Sequence, residues 1–120
     1  MFEYKNSIKT LIEFFPELAS EYLHDIDYYR GLPYVFYESV FVKFIIKEIS
    51  NKNETTLIRI FNFIEKILKE GDKDSKNLVE VSVIEALFFK GIFAKDDIAF
   101  SLLGTLSRKS LGECNNTNGY

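Results

Sequence analysis

Apolar residues along this chain recur at steps of three and four, the spacing that lines one face of an α-helix. No segment shows the two-residue alternation of a half-buried strand. Six helices are predicted. The first covers about Lys5 to Phe15, with Ile8, Leu11, Ile12 and Phe15 on one stripe. Pro16 stops it and opens the second, about Pro16 to Arg30, where proline is tolerated at the first position. Leu18, Tyr22 and Ile26 form its core stripe, with Ala19 and Leu23 beside it. Gly31 and then Pro33 mark its end. The third helix, about Pro33 to Ser50, carries two adjacent rows, Phe36-Val40-Phe44 and Phe41-Ile45-Ile49. The fourth, about Glu54 to Glu70, carries Leu57, Ile60, Phe61, Ile64, Ile67 and Leu68.

The fifth helix, about Ser75 to Lys90, places Leu78, Val81, Ile84, Leu87 and Phe88 inward. Its β-branched run of Val79, Val81, Val83 and Ile84 lowers helix propensity, and a strand is the competing assignment there. The sixth, about Lys95 to Ser110, holds Ile98, Leu102, Leu103 and Leu106, and is weakened by Gly104 in its interior. Short links between helices imply antiparallel neighbours. The expected fold is all-α: about six helices in antiparallel hairpins, as an irregular bundle or a short HEAT-like array. One domain is expected over residues 1–111, with a flexible tail over 112–120.

Composition adds two facts. There is no Trp, but there are 12 Phe and 7 Tyr, a large ring area for a core this small. The net charge of -3 is unevenly spread. Residues 1–40 set Glu3, Glu13, Glu17, Glu21, Asp25, Asp27 and Glu38 against only Lys5, Lys9 and Arg30. An acidic third repels nucleic-acid phosphates and attracts basic surfaces, so direct nucleic-acid binding is not expected. The apolar runs are too short for a membrane helix, and no secretory leader is read in MFEYKNSIK. The single cysteine, Cys114, fits a reducing compartment, and a cytoplasmic location is expected.

No catalytic constellation assembles. His24 is the only histidine, and with Glu17, Glu21 and Asp25 it makes a poor metal set lacking further imidazole or thiolate ligands. Glu38 across the turn from Asp25 or Asp27 is a conceivable acid/base pair, but a solvated surface explains these carboxylates as well. Gly31, Gly71 and Gly91 read as helix stops rather than a phosphate loop. No cofactor, metal or enzymatic activity is expected.

The stretch YYRGLPYVFYESVF (28–41) crowds rings around a helix break. Phe36 and Phe41 fall on core rows, whereas Tyr28, Tyr34 and Tyr37 are harder to bury. Either these tyrosines close the edge of the core, or they anchor a partner. Rings supply desolvated area and cation–π contacts, and carboxylates steer basic groups. The candidate partner-binding residues are Glu17, Glu21, Asp25, Asp27, Tyr28, Tyr29, Tyr34 and Glu38, with Glu80 and Glu85 as a secondary surface.

Four segments carry a family likeness: FFPEL (14–18), RGLPYVFYESVFVKFI (30–45), FNFIEKIL (61–68) and NLVEVSVIEALF (77–88). Over its first 90 residues or so, the chain resembles the small all-α immunity proteins of bacterial contact-dependent growth inhibition and polymorphic toxin systems. The resemblance implies a cytosolic protein that binds one cognate toxin domain, often a basic nuclease, and occludes its active site or substrate groove. It transfers no functional residue. The alternative is a helical protein–protein adaptor or self-associating scaffold. The free protein would then be a monomer or weak homodimer.

Overall fold

A computed structural model describes the protein over residues 2–92 and 97–118. Every regular element among the described residues is helical. A 3₁₀ turn, Tyr4–Asn6, leads into α1 (Ser7–Phe14). A second, Pro16–Leu18, leads into α2 (Ala19–His24), which is followed by the short α3 (Ile26–Tyr29). Next come α4 (Pro33–Phe36), a π-helical segment Tyr37–Phe41 and α5 (Val42–Ser50), continuous along 33–50. The long α6 (Glu54–Glu70) follows. Then α7 (Lys73–Val79), a second π-helical segment Glu80–Glu85 and α8 (Ala86–Phe89) form another continuous rod. The last helices are α9 (Asp97–Ser101) and α10 (Thr105–Asn118). No strand forms over Val79–Ile84; burial of Val79, Val83 and Ile84 outweighs their modest helix propensity.

The expected second helix is broken. Asp25 leaves the helical region (φ -128°, ψ 43°), and the chain restarts as α3. Neither α2 nor α3 contains a fully buried residue, so no packed face holds a longer helix together against the low propensity of Asp. Gly31 then turns the chain with φ 77°, a left-handed value that favours glycine. The expected sixth helix is also broken, between Ser101 and Thr105. Its backbone runs on through residues 112–118 as part of α10.

The two π segments have a common sequence cause. Pro33, Tyr37, Phe41, Ile45 and Ile49 are all buried, at steps of four. Leu78, Ser82 and Ala86 repeat that step, as do Val79, Val83 and Leu87. Four residues overshoot an α-helical turn by about 40°. A wider i→i+5 turn absorbs the excess and keeps each row on one face. The consequence corrects the sequence reading at two places. Val81, expected inside, is exposed, and Tyr37 is sealed in the core at 1% exposure. The Tyr37 hydroxyl donates to the Ser7 carbonyl oxygen at 2.8 Å, and burial drives its pKa up.

The core forms around α6. It packs against α5, α7 and α10, and the two π segments pack against each other. The N-terminal turn meets α7, so the first part of the chain closes onto the helix that follows α6. In a linear array each repeat touches only its neighbours. The fold is therefore an irregular bundle, not a solenoid.

Asp72 makes that closure. Its carboxylate accepts from Ser75 N at 2.8 Å, capping α7, and from Tyr4 N at 3.0 Å. The Ser75 side chain, followed by these backbone N–H groups, holds the carboxyl below its ordinary 3.8. A depressed folded-state pKa gives stability that is present above the unfolded value and lost as pH falls through the folded one. Melting temperature is expected to fall below about pH 4 more steeply in the wild type than in Asp72→Asn. Parallel melting curves across that acid range would remove this role from Asp72.

Candidate functional site

The acidic third folds into the α2–α3 corner and its flanks. Glu21, Asp25, Asp27 and Tyr28 are exposed, and Tyr29 is half-buried. Tyr28 and Tyr29 pack edge-on, with centroids 5.1 Å apart. Tyr29 continues inward onto Phe36 at 5.0 Å, and Tyr22 reaches the same ring at 5.5 Å. Burial raises the Tyr29 phenol's pKa, and the fields of Asp25, Glu21 and Tyr28 add to it. That electrostatic coupling places Glu21, Asp25, Tyr28 and Tyr29 in one neighbourhood. Asp27 pairs loosely with Arg30 at 4.0 Å, and both groups are largely in water. Such a pair contributes little to stability and costs little to break.

Glu17 is more committed. It pairs with Arg59 at 3.5 Å, while Arg59 also donates to the Phe14 carbonyl oxygen at 3.0 Å and lies 5.1 Å from the Phe15 ring centre. Glu17 and Glu21 line a cleft of about 450 Å³ with Leu18, Val40, Lys43, Phe44, Lys47, Glu48, Asn53 and Thr56. One carboxylate oxygen of Glu48 is buried there, with no hydrogen-bond partner among the described residues.

Tyr34 and Glu38 do not join the corner. The Tyr34 hydroxyl accepts from Asn77 Nδ2 at 2.6 Å, and its ring lies 6.0 Å from Tyr4. Tyr34 thus fastens α4 to α7 and to the N-terminal turn. Glu38 is exposed four residues further along the same helix. Glu80 and Glu85 are half-buried in the second π segment. Glu80 borders a small cleft with Leu68, Leu106, Lys109 and Ser110. His24 is exposed, and among the described residues no three His, Cys, Asp or Glu side chains converge as metal ligands. The Cys114 side chain lies outside the described residues.

Sequence reasoning missed two apolar members of the corner. Leu23 was placed beside the core stripe, yet it is 65% exposed, and Leu32 is 41% exposed. The signal was the polar His24-Asp25 step, where α2 ends and no packed face follows to cover Leu23. Tyr28 is 58% exposed. Leu23, Tyr28 and Leu32 thus expose apolar area in the same stretch of chain as Glu21, Asp25 and Asp27.

A family model for a domain of unknown function, DUF7674, matches residues 8–117. The chain belongs to the DUF7674 family. No curated protein and no solved structure matches it. In this DUF7674 chain, no helix among the described residues is long and apolar enough to cross a membrane. The family match spans the corner, the cleft and the helices that hold them, and it assigns no chemistry to any of them.

Proposed function

We propose that this DUF7674 chain is an immunity-type inhibitor. It would bind a cognate toxin domain with a basic surface in the cytoplasm and occlude that domain's active site or substrate groove. One observation carries the reading: exposed Leu23, Tyr28 and Leu32 lie within residues 21–32, the same short stretch that holds exposed Glu21, Asp25 and Asp27. Apolar anchors ringed by carboxylates suit a partner whose surface offers Lys and Arg around a hydrophobic centre. The cleft beside the corner adds the Glu17 and Glu21 carboxylates as acceptors for an incoming basic side chain. The resemblance to immunity proteins supports the same reading.

The test is capture of the tagged chain's partner from the native host at modest salt, with mass spectrometry of what co-purifies. The expected result is a stoichiometric basic domain whose toxicity the wild-type chain neutralises. The triple variant Glu21→Lys, Asp25→Lys, Asp27→Lys should bind that domain at least about tenfold more weakly and keep the same helical circular dichroism. Recovery of the chain alone, as a concentration-dependent dimer, would favour a self-associating scaffold instead. Unchanged affinity in the triple variant would overturn the site.

A further inference from the structure

A second concavity draws on α2 through Tyr22, apart from the cleft that Glu17 and Glu21 line. It is a half-open groove of about 600 Å³ between α1 and the Gly31 corner. Its apolar lining comes from Tyr4, Ile8, Ile12, Tyr22 and Pro33. It shares no lining residue with the acidic cleft.

The charges around it run against their surroundings. Residues 1–40 contain three cations, Lys5, Lys9 and Arg30, in a segment of net charge -4. All three line this groove, and Glu13 is the acidic residue in its lining. Lys5 in the N-terminal 3₁₀ turn and Lys9 in α1 are four residues apart, and Arg30 arrives from the end of α3, so the fold converges them from two places in the sequence. Lys5 has an exposed pairing with Glu3 at 3.5 Å, and Arg30 its loose pairing with Asp27. Among the described residues Lys9 has no ion-pair partner. These exposed pairings exchange readily for a stronger anion. Lys5, Lys9, Arg30 and Glu13 give the lining itself a net charge of +2, in a protein of net charge -3, with Glu3 and Asp27 outside the lining.

We propose that this groove binds a small amphiphilic carboxylate: an aliphatic body on Ile8, Ile12, Tyr22 and Pro33, with its head group among Lys5, Lys9 and Arg30. The volume lies within the range of about 300–1,000 Å³ typical of small-molecule sites, which combine apolar walls with a few convergent polar groups. Arg30 supplies a bidentate fork for a carboxylate, and the two lysines supply point charges. A cationic amphiphile would meet the same floor and the wrong rim. The groove shares Arg30's pairing with Asp27 of the proposed partner surface, but decanoate is tested on the free wild-type chain, so either reading can fail without the other.

The experiment uses the full chain and decanoate below its micellar concentration, followed by calorimetry and amide chemical shifts. Decanoate is expected to bind saturably at one site, with shifts concentrated over residues 4–13 and 22–33. Decyltrimethylammonium is expected to bind at least about tenfold more weakly. Lys9→Glu combined with Arg30→Glu should weaken decanoate by a similar factor, and Ile12→Trp should exclude it by filling the floor. Absence of saturable decanoate binding, equal binding of the two head groups, or shifts centred elsewhere in the wild-type protein would each overturn the proposal.

Discussion

Replacing Phe63 by alanine is expected to destabilise the protein by about 3–5 kcal/mol, a large fraction of the stability of a domain this size. Phe63 lies on α6 at 3% exposure and touches rings from four other places in the chain. It meets Phe2 at 5.9 Å, Phe14 at 5.0 Å, Phe15 at 5.4 Å and Phe41 at 5.9 Å, three of these contacts being edge-to-face. Phe15 and Phe41 also touch each other at 5.5 Å. The ring thus joins the N-terminal segment, the end of α1, the turn into α2 and the first π segment to the central helix. Truncation removes apolar transfer energy and leaves a cavity between elements that cannot all collapse inward together. Ile58, also on α6 but 42% exposed, is the control: Ile58→Ala should change stability by no more than about 0.5 kcal/mol. Urea unfolding of the two variants checks the difference. Equal midpoints would mean that the ring cluster does not organise the core.

Much of this core was legible in the sequence, because helix stripes are written at fixed intervals. Leu11, Phe15 and Leu18, the two rows of the third helix and the apolar face of α6 all lie where the spacing placed them. The four-step rows Phe36-Val40-Phe44 and Phe41-Ile45-Ile49 even carried the cause of the first π segment. What failed was the assumption of a uniform helical turn. On that assumption Val81 faces inward and Tyr37 lies near the surface; a locally widened helix reverses both.

The candidate site was only partly legible, for a different reason. Its residues are exposed, so no hydrophobic spacing constrains them. The acidic excess pointed to the segment that holds Glu21, Asp25, Asp27 and Tyr28, all of which the fold leaves exposed. It could not show that Tyr34 is tied to Asn77, or that Glu17 is tied to Arg59, because both partners lie far along the chain. Leu23 and Leu32 were invisible to a charge argument. The convergence of Lys5, Lys9 and Arg30 needed the Gly31 turn to be placed in space.

Glu65→Ala is expected to lower stability by about 2–3 kcal/mol, and to do so by freeing α10. Gly104 read as a flaw within a helix; in the fold it is the residue before α10, where the backbone passes close to Glu65 of α6. The Glu65 carboxylate accepts from Leu106 N at 2.7 Å, from Ser107 N at 3.1 Å and from the Ser107 hydroxyl at 3.0 Å. The first N–H groups of a helix lack intrahelical acceptors, and a negative charge there is favoured by the helix dipole. A side chain from another helix thus does the work of an N-cap and docks α10 onto α6. A Cβ at Gly104 would overlap this carboxylate, so Gly104→Ala should displace it and lose much of the same stability. Glu65→Gln, which keeps one acceptor oxygen, should lose less than Glu65→Ala. The decisive measurement is the double-mutant cycle. Once Glu65 is shortened to alanine the overlap is gone, so the second substitution should add little to the first. Hydrogen exchange should quicken first in the amides of α10 in all three variants. If the two single losses were fully additive, the Glu65 carboxylate and Gly104 would be acting separately, and this account of how α10 is held would be wrong.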